Sequence, residues 1–266
     1  MKAYKALIQR VLASENEALD RTGVGTRYIF GESVVFNLAE RFPIVSLRKI
    51  DYRQGFGELA AFIHGATTKT DFTLHGCKYW NTTPGVNGDN DNLGPIYGSQ
   101  WVSWRSLFGS HNQLADLVKS LKENPYSRRH ILSTWNVGEL SEMALPPCHV
   151  MAQFNVLNGK LSCIVYMRSV DVMLGLPFDV LVYAVLTHLL ALDASLDVGE
   201  LIFFFGNCHI YKNHIDLAEE LVTREPQKIC PTLSLAPIKS LFNFKATDAE
   251  LNNYAPSPAI KFHLNL

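Results

Sequence analysis

Cys148 stands in Leu145-Pro146-Pro147-Cys148-His149, behind two prolines that hold the backbone in extended or turn geometry. A thiol held this way is a candidate nucleophile, provided that a cationic or hydrogen-bonding neighbourhood lowers its pKa enough to yield thiolate. Tyr166-Met167-Arg168-Ser169-Val170-Asp171 sets a polar Arg-Ser-x-Asp into an otherwise apolar stretch. An unpaired arginine there is costly, so Arg168 is expected to face an anion. Pro125-Tyr126-Ser127-Arg128-Arg129 puts two guanidinium groups side by side. Such forks suit phosphate, although the same run also reads as a solvated basic loop. Arg21, in the polar, glycine-bearing loop Asp20–Thr26, can swing over a site. Glu58 sits among Phe56, Leu59, Ala60 and Phe62, so its carboxylate is either surface-facing or deliberately buried. The other cysteines, Cys77, Cys163, Cys208 and Cys230, read as small apolar side chains. Five cysteines with no Cys-x-x-Cys pair argue against a disulfide framework or a zinc centre, and Cys208-His209 with His214 has no tetrahedral spacing. No metal is expected.

The elements that position these residues follow from periodicity. Tyr4, Leu7, Ile8, Val11 and Leu12 predict an amphipathic helix. Tyr28–Leu38 reads as strand, and 54–64 as helix. The glycine- and asparagine-rich stretch Gly76–Gly98 predicts a long irregular segment that can line a pocket. A helix is expected at Gln113–Glu123 and a strand at His130–Trp135. A hairpin turning at Asn158-Gly159 joins the strands that begin at His149 and Lys160. Phe178–Leu192 is apolar all round and predicts a buried central helix. A strand at 201–205, a helix at Asn213–Arg224 and short C-terminal strands complete an α+β pattern.

The composition narrows the classes. Of 266 residues, 47% are hydrophobic and 18% charged, which predicts a compact chain with a sizeable core, read as one domain over 1–266. The 24 basic and 25 acidic side chains nearly cancel, so no global field draws the protein to nucleic acid or anionic lipid. No apolar run is read as reaching the 18 or so residues of a membrane span, and the first residues carry charges rather than a signal-peptide core. A cytoplasmic location is expected.

The blocks DRTGVGT, ELAAFIHG, LGPIYGSQW, SRRHILSTWNVGEL, ALPPCH, GKLSCIVYMRSVD, LGLPFD and HIYKNH resemble those of the thymidylate synthase family, in its order and over essentially the whole chain. The resemblance implies an α+β fold with a large twisted β-sheet, flanking helices and a homodimer packed sheet to sheet. It implies a pyrimidine nucleoside monophosphate as substrate and 5,10-methylenetetrahydrofolate as co-substrate. By it, Cys148 adds to ring carbon C6 and makes C5 nucleophilic. Arg21, Arg168 and Ser169 hold the phosphate, and Arg128 and Arg129 reach it from the partner subunit, a cage that also favours the thiolate. Glu58 and Tyr97 handle protons, His209 and Tyr211 bind the sugar hydroxyl, and Trp80, Leu145 and Asp171 contact folate. His149 is left without an assigned role.

Two departures from the family's pattern carry the substrate and product expectations. Where the family has the asparagine that pairs with uracil, this chain has Asp179. An ionised aspartate faces uracil O4 with lone pair against lone pair. Aspartate instead accepts from the cytosine amine and, when protonated, donates to N3, as in the deoxycytidylate hydroxymethylases that share this substitution. Thr83 stands where the family has a second tryptophan, and Met167 where it has glutamine. The altered walls suggest that water traps the C5-methylene intermediate, giving a 5-hydroxymethyl cytidine monophosphate. The apolar C-terminal His263-Leu264-Asn265-Leu266 argues the other way, for a closed site and reductive methylation of dCMP or dUMP. An inactive homologue that binds nucleotide or RNA is the reading of another class.

Overall fold

The apolar residues of the first segment recur with the helical period, and Tyr4, Leu7, Ile8 and Val11 bury one side of α1 (Lys2–Leu12). The computed structural model describes residues 2–265. After α1 come β1 (Glu17–Ala18), β2 (Thr26–Asn37), α2 (Tyr52–Ile63), α3 (Lys69–Leu74), α4 (Tyr97–Ser103), β3 (Trp104–Ser106), β4 (Gly109–His111) and α5 (Gln113–Glu123). The second half holds β5 (Ile131–Ser133), β6 (His149–Leu157), β7 (Lys160–Asp171), α6 (Gly175–Asp193), β8 (Asp197–Tyr211), α7 (Ile215–Thr223), β9 (Thr232–Leu235) and β10 (Ala249–Asn252).

Six strands form the main sheet in the order β1-β2-β8-β7-β6-β5. The β6–β7 hairpin turns at Asn158 and Gly159, whose φ values of +50° and +76° are those of a type I′ turn and favour asparagine and glycine. Among the described residues only the pair β7–β8 is parallel, and a parallel pair needs a crossover, which α6 supplies. Its thirteen buried residues leave no polar stripe, because α6 lies between β7 and β8 on one side and α2 on the other. This helix corrects the membrane reading. Gly175–Asp193 is long and apolar enough to span a bilayer, since Asp179 and His188 interrupt the run without lowering its mean hydropathy below that mark. It is a core helix, 72% buried in its most apolar window.

The helix-covered face of the sheet carries Val165, Met167, Phe203 and Phe205, all buried. The opposite face is also apolar but open. Ile131, Gln153, Ile164, Ile202 and Val35 lie in register across five strands, and Ser133, Met151, Tyr166, Phe204 and Ser33 form the next row. Val35, Ile131, Tyr166 and Phe204 are all exposed on it.

The structure extends the sequence reading in three places. The strand expected at 201–205 runs from Asp197 to Tyr211, because it is paired on both sides along its length. Within the stretch read as irregular, a 3-10 turn forms at Tyr79–Thr82 and α4 starts at Tyr97. Helix α3, with a Thr68/Asp71 capping box, and the small β3–β4 hairpin have no counterpart in that reading. Leu266, the last residue of the apolar tail, lies outside the described residues.

Candidate active site

Cys148 directly precedes β6, and β7 holds it there. The backbone N–H of Arg168 donates to Cys148 O at 2.9 Å. Its side chain donates from Nε to Pro147 O and from Nη2 to Pro146 O, both at 2.8 Å. One arginine thus takes three consecutive carbonyls. Among the described residues Arg168 makes no salt bridge, and these carbonyls are its hydrogen-bond partners within the chain. Pro146 and Pro147 have no N–H to donate, and their carbonyls are satisfied by the Arg168 side chain. The Cys148 N–H donates to Tyr97 Oη at 3.0 Å.

Burial pushes the half-buried Cys148 thiol up, Arg168 pulls it down, and Asp179 pushes it up again, with Tyr97 and Arg21 adding smaller downward pulls. Within one chain, burial outweighs the downward pull of Arg168 and Arg21 on the thiol. Arg168 and Arg21 act on the thiol. Arg128 and Arg129 are exposed on the loop leading into β5, the edge strand of the sheet. Ser169 follows Arg168 on β7, in register with Asn207 of β8.

Three carboxyl groups are coupled through Asp179, which acts on the thiol. Glu58 is buried on α2 and accepts from the Trp80 indole N–H at 2.8 Å. Burial raises its pKa from the ordinary 4.5 to about 7, with Tyr79 and Trp80 pulling the other way. Asp179, one turn into α6, makes no side-chain hydrogen bond among the described residues, and its carboxyl lies over Gly175. Burial first, then the charges of Glu58 and Asp171, hold that carboxyl well above the usual range. Asp171 ends β7 and accepts from the N–H groups of Met173 and Leu174 at 2.8 and 3.2 Å, fixing the turn into α6.

The sign of the Glu58 shift gives a stability prediction. The folded chain binds this proton more tightly than the unfolded chain between pH 4.5 and 7, so the native protein loses stability as pH rises through that window. Glu58→Gln removes the titration. Relative to native protein it is expected to gain about 2–3 kcal/mol on moving from pH 4.5 to pH 8, measured by urea unfolding at both values. An equal pH dependence in both proteins would contradict it.

Tyr97 opens α4 at φ +21°, an uncommon value for a bulky residue, and is clamped between Phe62 and His149 at ring-centroid distances of 5.2 and 4.2 Å. The approach is possible because a Cβ on Gly98 would come within 2.3 Å of the Phe62 backbone. His149 is buried, shares a 2.7 Å hydrogen bond with Tyr183 Oη, and is pushed down to about 3 by burial. It is a neutral packing partner of Tyr97, which supplies the role that the sequence left open.

On β8, His209 Nδ1 pairs with Asn207 Oδ1 at 2.9 Å, and its ring meets Tyr211 edge-on at 5.2 Å. Burial raises Tyr211 to about 12 and lowers His209. Tyr28↔His209 and Asp171↔His209 are register partners, so this pair sits beside Asp171. Leu145 is half-buried at the start of the nucleophile loop. Trp80, expected among the folate contacts, is buried and spends its N–H on Glu58. Thr83 is buried at the end of the 79–82 turn, and Met167 is fully buried on the helix side of the sheet, the side that α6 covers. Tyr79, Asn207, Tyr183 and Trp135 are contacts that the sequence reading did not single out. Asn207 alone carried a usable signal, lying two residues before His209 on the same strand face.

The family model described as thymidylate synthase matches residues 2–266 of the chain.

Proposed function

The chain belongs to the thymidylate synthase family, and from that premise we propose that it transfers a one-carbon unit to C5 of a cytidine monophosphate and leaves it as hydroxymethyl. The family supports the coarser statement, a folate-dependent one-carbon transfer to a pyrimidine nucleotide. The base assignment is carried by one observation. Asp179 is an unpartnered carboxyl whose environment favours its protonated form. A neutral carboxyl donates to cytosine N3 and accepts from the 4-amino group, and an ionised one still accepts from that amine, whereas it faces uracil O4 with lone pair against lone pair.

Methylenetetrahydrofolate supplies the one-carbon unit when bound. Cys148 attacks C6, its Sγ–C6 bond forming as the C5–C6 π electrons shift to C5, while the Asp179 proton at N3 stabilises the charge that builds in the ring. Bond formation at C5 is followed by loss of the C5 proton through water near Glu58 and Tyr97, as the exocyclic C–N bond breaks to release tetrahydrofolate and leave a methylene at C5. Water then adds to the exocyclic carbon, the C6–Sγ bond breaks, and the thiolate is restored. Arg21, Arg168 and Ser169 hold the phosphate, His209 and Tyr211 the sugar hydroxyl, and Leu145, Trp80 and Asp171 line the folate side. The open apolar rows of the sheet suit a second copy of the chain, which brings Arg128 and Arg129 to its partner's phosphate. No metal takes part, and the protein works in the cytoplasm as a homodimer of one-domain chains.

Reductive methylation is the runner-up, favoured by the described tail. Phe262 packs on Arg48 with 5.0 Å between guanidinium carbon and ring centroid, and His263 O meets His214 Nε2 at 2.7 Å. A tail tied down in this way suits a site that excludes water. The test is a mass-spectrometric product assay with methylenetetrahydrofolate and dCMP, CMP or dUMP in parallel. A hydroxymethyl cytidylate with tetrahydrofolate released is the expected result, from protein of twice the 29.8 kDa chain mass. A methyl product with dihydrofolate would establish the runner-up, and preference for dUMP would refute the base assignment.

A further inference from the structure

Trp135 has no part in the reaction described above, yet its ring lies against the guanidinium that grips the nucleophile loop. Arg168 Cζ stands 5.4 Å from the ring centroid. We propose that Trp135 is a positioning residue for Cys148 and acts through Arg168, its indole face fixing the guanidinium plane so that two N–H groups stay on the carbonyls of Pro146 and Pro147. An arginine has five such donors in a rigid fork, and the loop uses two of them. Three remain for an anion, but only if the fork cannot rotate. A cation over an indole face gives that restraint without competing for any donor, and a half-buried ring strengthens it by excluding water.

The neighbouring residue extends the same clamp. Thr134 donates from its backbone N–H to Val150 O at 2.8 Å, and its hydroxyl hydrogen-bonds to the carbonyls of His149 and Val150. Thr134-Trp135 and Arg168 together therefore control five consecutive carbonyls, from Pro146 to Val150. The support spans β5, β6 and β7, so the thiol is fixed by three strands although it lies on a loop.

The proposal rests on Cys148 being the nucleophile, and its test is independent of the substrate assignment. Cys148 feels Arg168 from β7, Arg21 from the loop before β2, Tyr97 from α4 and Asp179 from α6. Substitution at Trp135 leaves the last three in place. Iodoacetamide alkylation of Cys148, followed at the peptide level against pH, therefore reports the hold of Arg168. Trp135→Leu is expected to displace the alkylation midpoint to higher pH and to lower kcat about tenfold, with a smaller change in nucleotide KM. Trp135→Phe retains a ring face and restores most of both. If the leucine variant does not fold, Trp135→Tyr carries the same comparison with a smaller displacement. A midpoint that coincides with the native one, whatever happens to kcat or thermal midpoint, overturns the proposal. Absence of turnover with every pyrimidine nucleotide would overturn the reaction instead, leaving the alkylation result to decide the clamp.

Discussion

Cys148→Ala is expected to abolish turnover by at least about a thousandfold while leaving nucleotide binding within about tenfold of native. The asymmetry follows from the site. In the proposed reaction the phosphate is read by Arg168 on β7 and Arg21 on the loop before β2, and the base by Asp179 on α6. None of these depends on the sulfur for its placement. The thiol is needed only when C6 must become tetrahedral so that C5 can react. Tritium release from C5-labelled nucleotide measures the loss, and calorimetric titration measures the retained binding. Cys230→Ser supplies the control, since that half-buried thiol lines a separate cavity with Phe42, Pro43 and Pro231. Substantial tritium release from the alanine variant would rule out covalent catalysis through this residue.

Asp179→Asn is expected to invert base preference, shifting the ratio of kcat/KM for cytidylate over uridylate by about two to four orders of magnitude. In the orientation that accepts from uracil N3–H and donates to O4, the carboxamide sets donor against donor at the cytosine 4-amino group. The change also removes a titratable group from a crowded place. Burial and the charges of Glu58 and Asp171 hold the Asp179 carboxyl protonated, so the neutral asparagine alters the pattern and abolishes the titration. Cytidylate turnover by the native protein should accordingly fall as pH rises through the elevated Asp179 pKa, and the variant's uridylate turnover should lack that limb. Parallel assays of both nucleotides across pH decide the matter, and an unchanged preference would place base choice elsewhere.

Much of the fold can be read from the sequence because its signals are local. The Asn158-Gly159 turn, the helical stripe of α1 and the featureless apolarity of α6 need no partner to be recognised. The site is legible in part for the same reason, since two prolines before a cysteine or an arginine in an apolar strand are local anomalies. What the sequence hides is pairing. Arg168 predicts a partner but not its identity, because the carbonyls that satisfy it belong to a loop twenty residues away and only the β6–β7 register brings them together. Trp135 is a clamp only once β5 lies beside β6. Glu58 is undecided in sequence because helix position alone does not say whether Trp80 will close over it. The net effect of charge on the thiol is hidden for a related reason, since burial opposes the arginines.

The pairing of β2 with β8 has a consequence for how the protein comes into being. Thr26 lies opposite Tyr211 and Asn37 opposite Glu200, so the loop bearing Arg21 meets the strand bearing His209 across most of the chain's length. During synthesis β2 emerges early, and the strand partners of Val34 and Phe36, which are Phe203 and Leu201, follow 169 and 165 residues later. The closure is entropically slow, and no shorter nascent chain holds both sides of the site. Truncated products therefore cannot accumulate as half-active enzyme, and the interval before β8 arrives is when the chain depends most on being shielded from its neighbours.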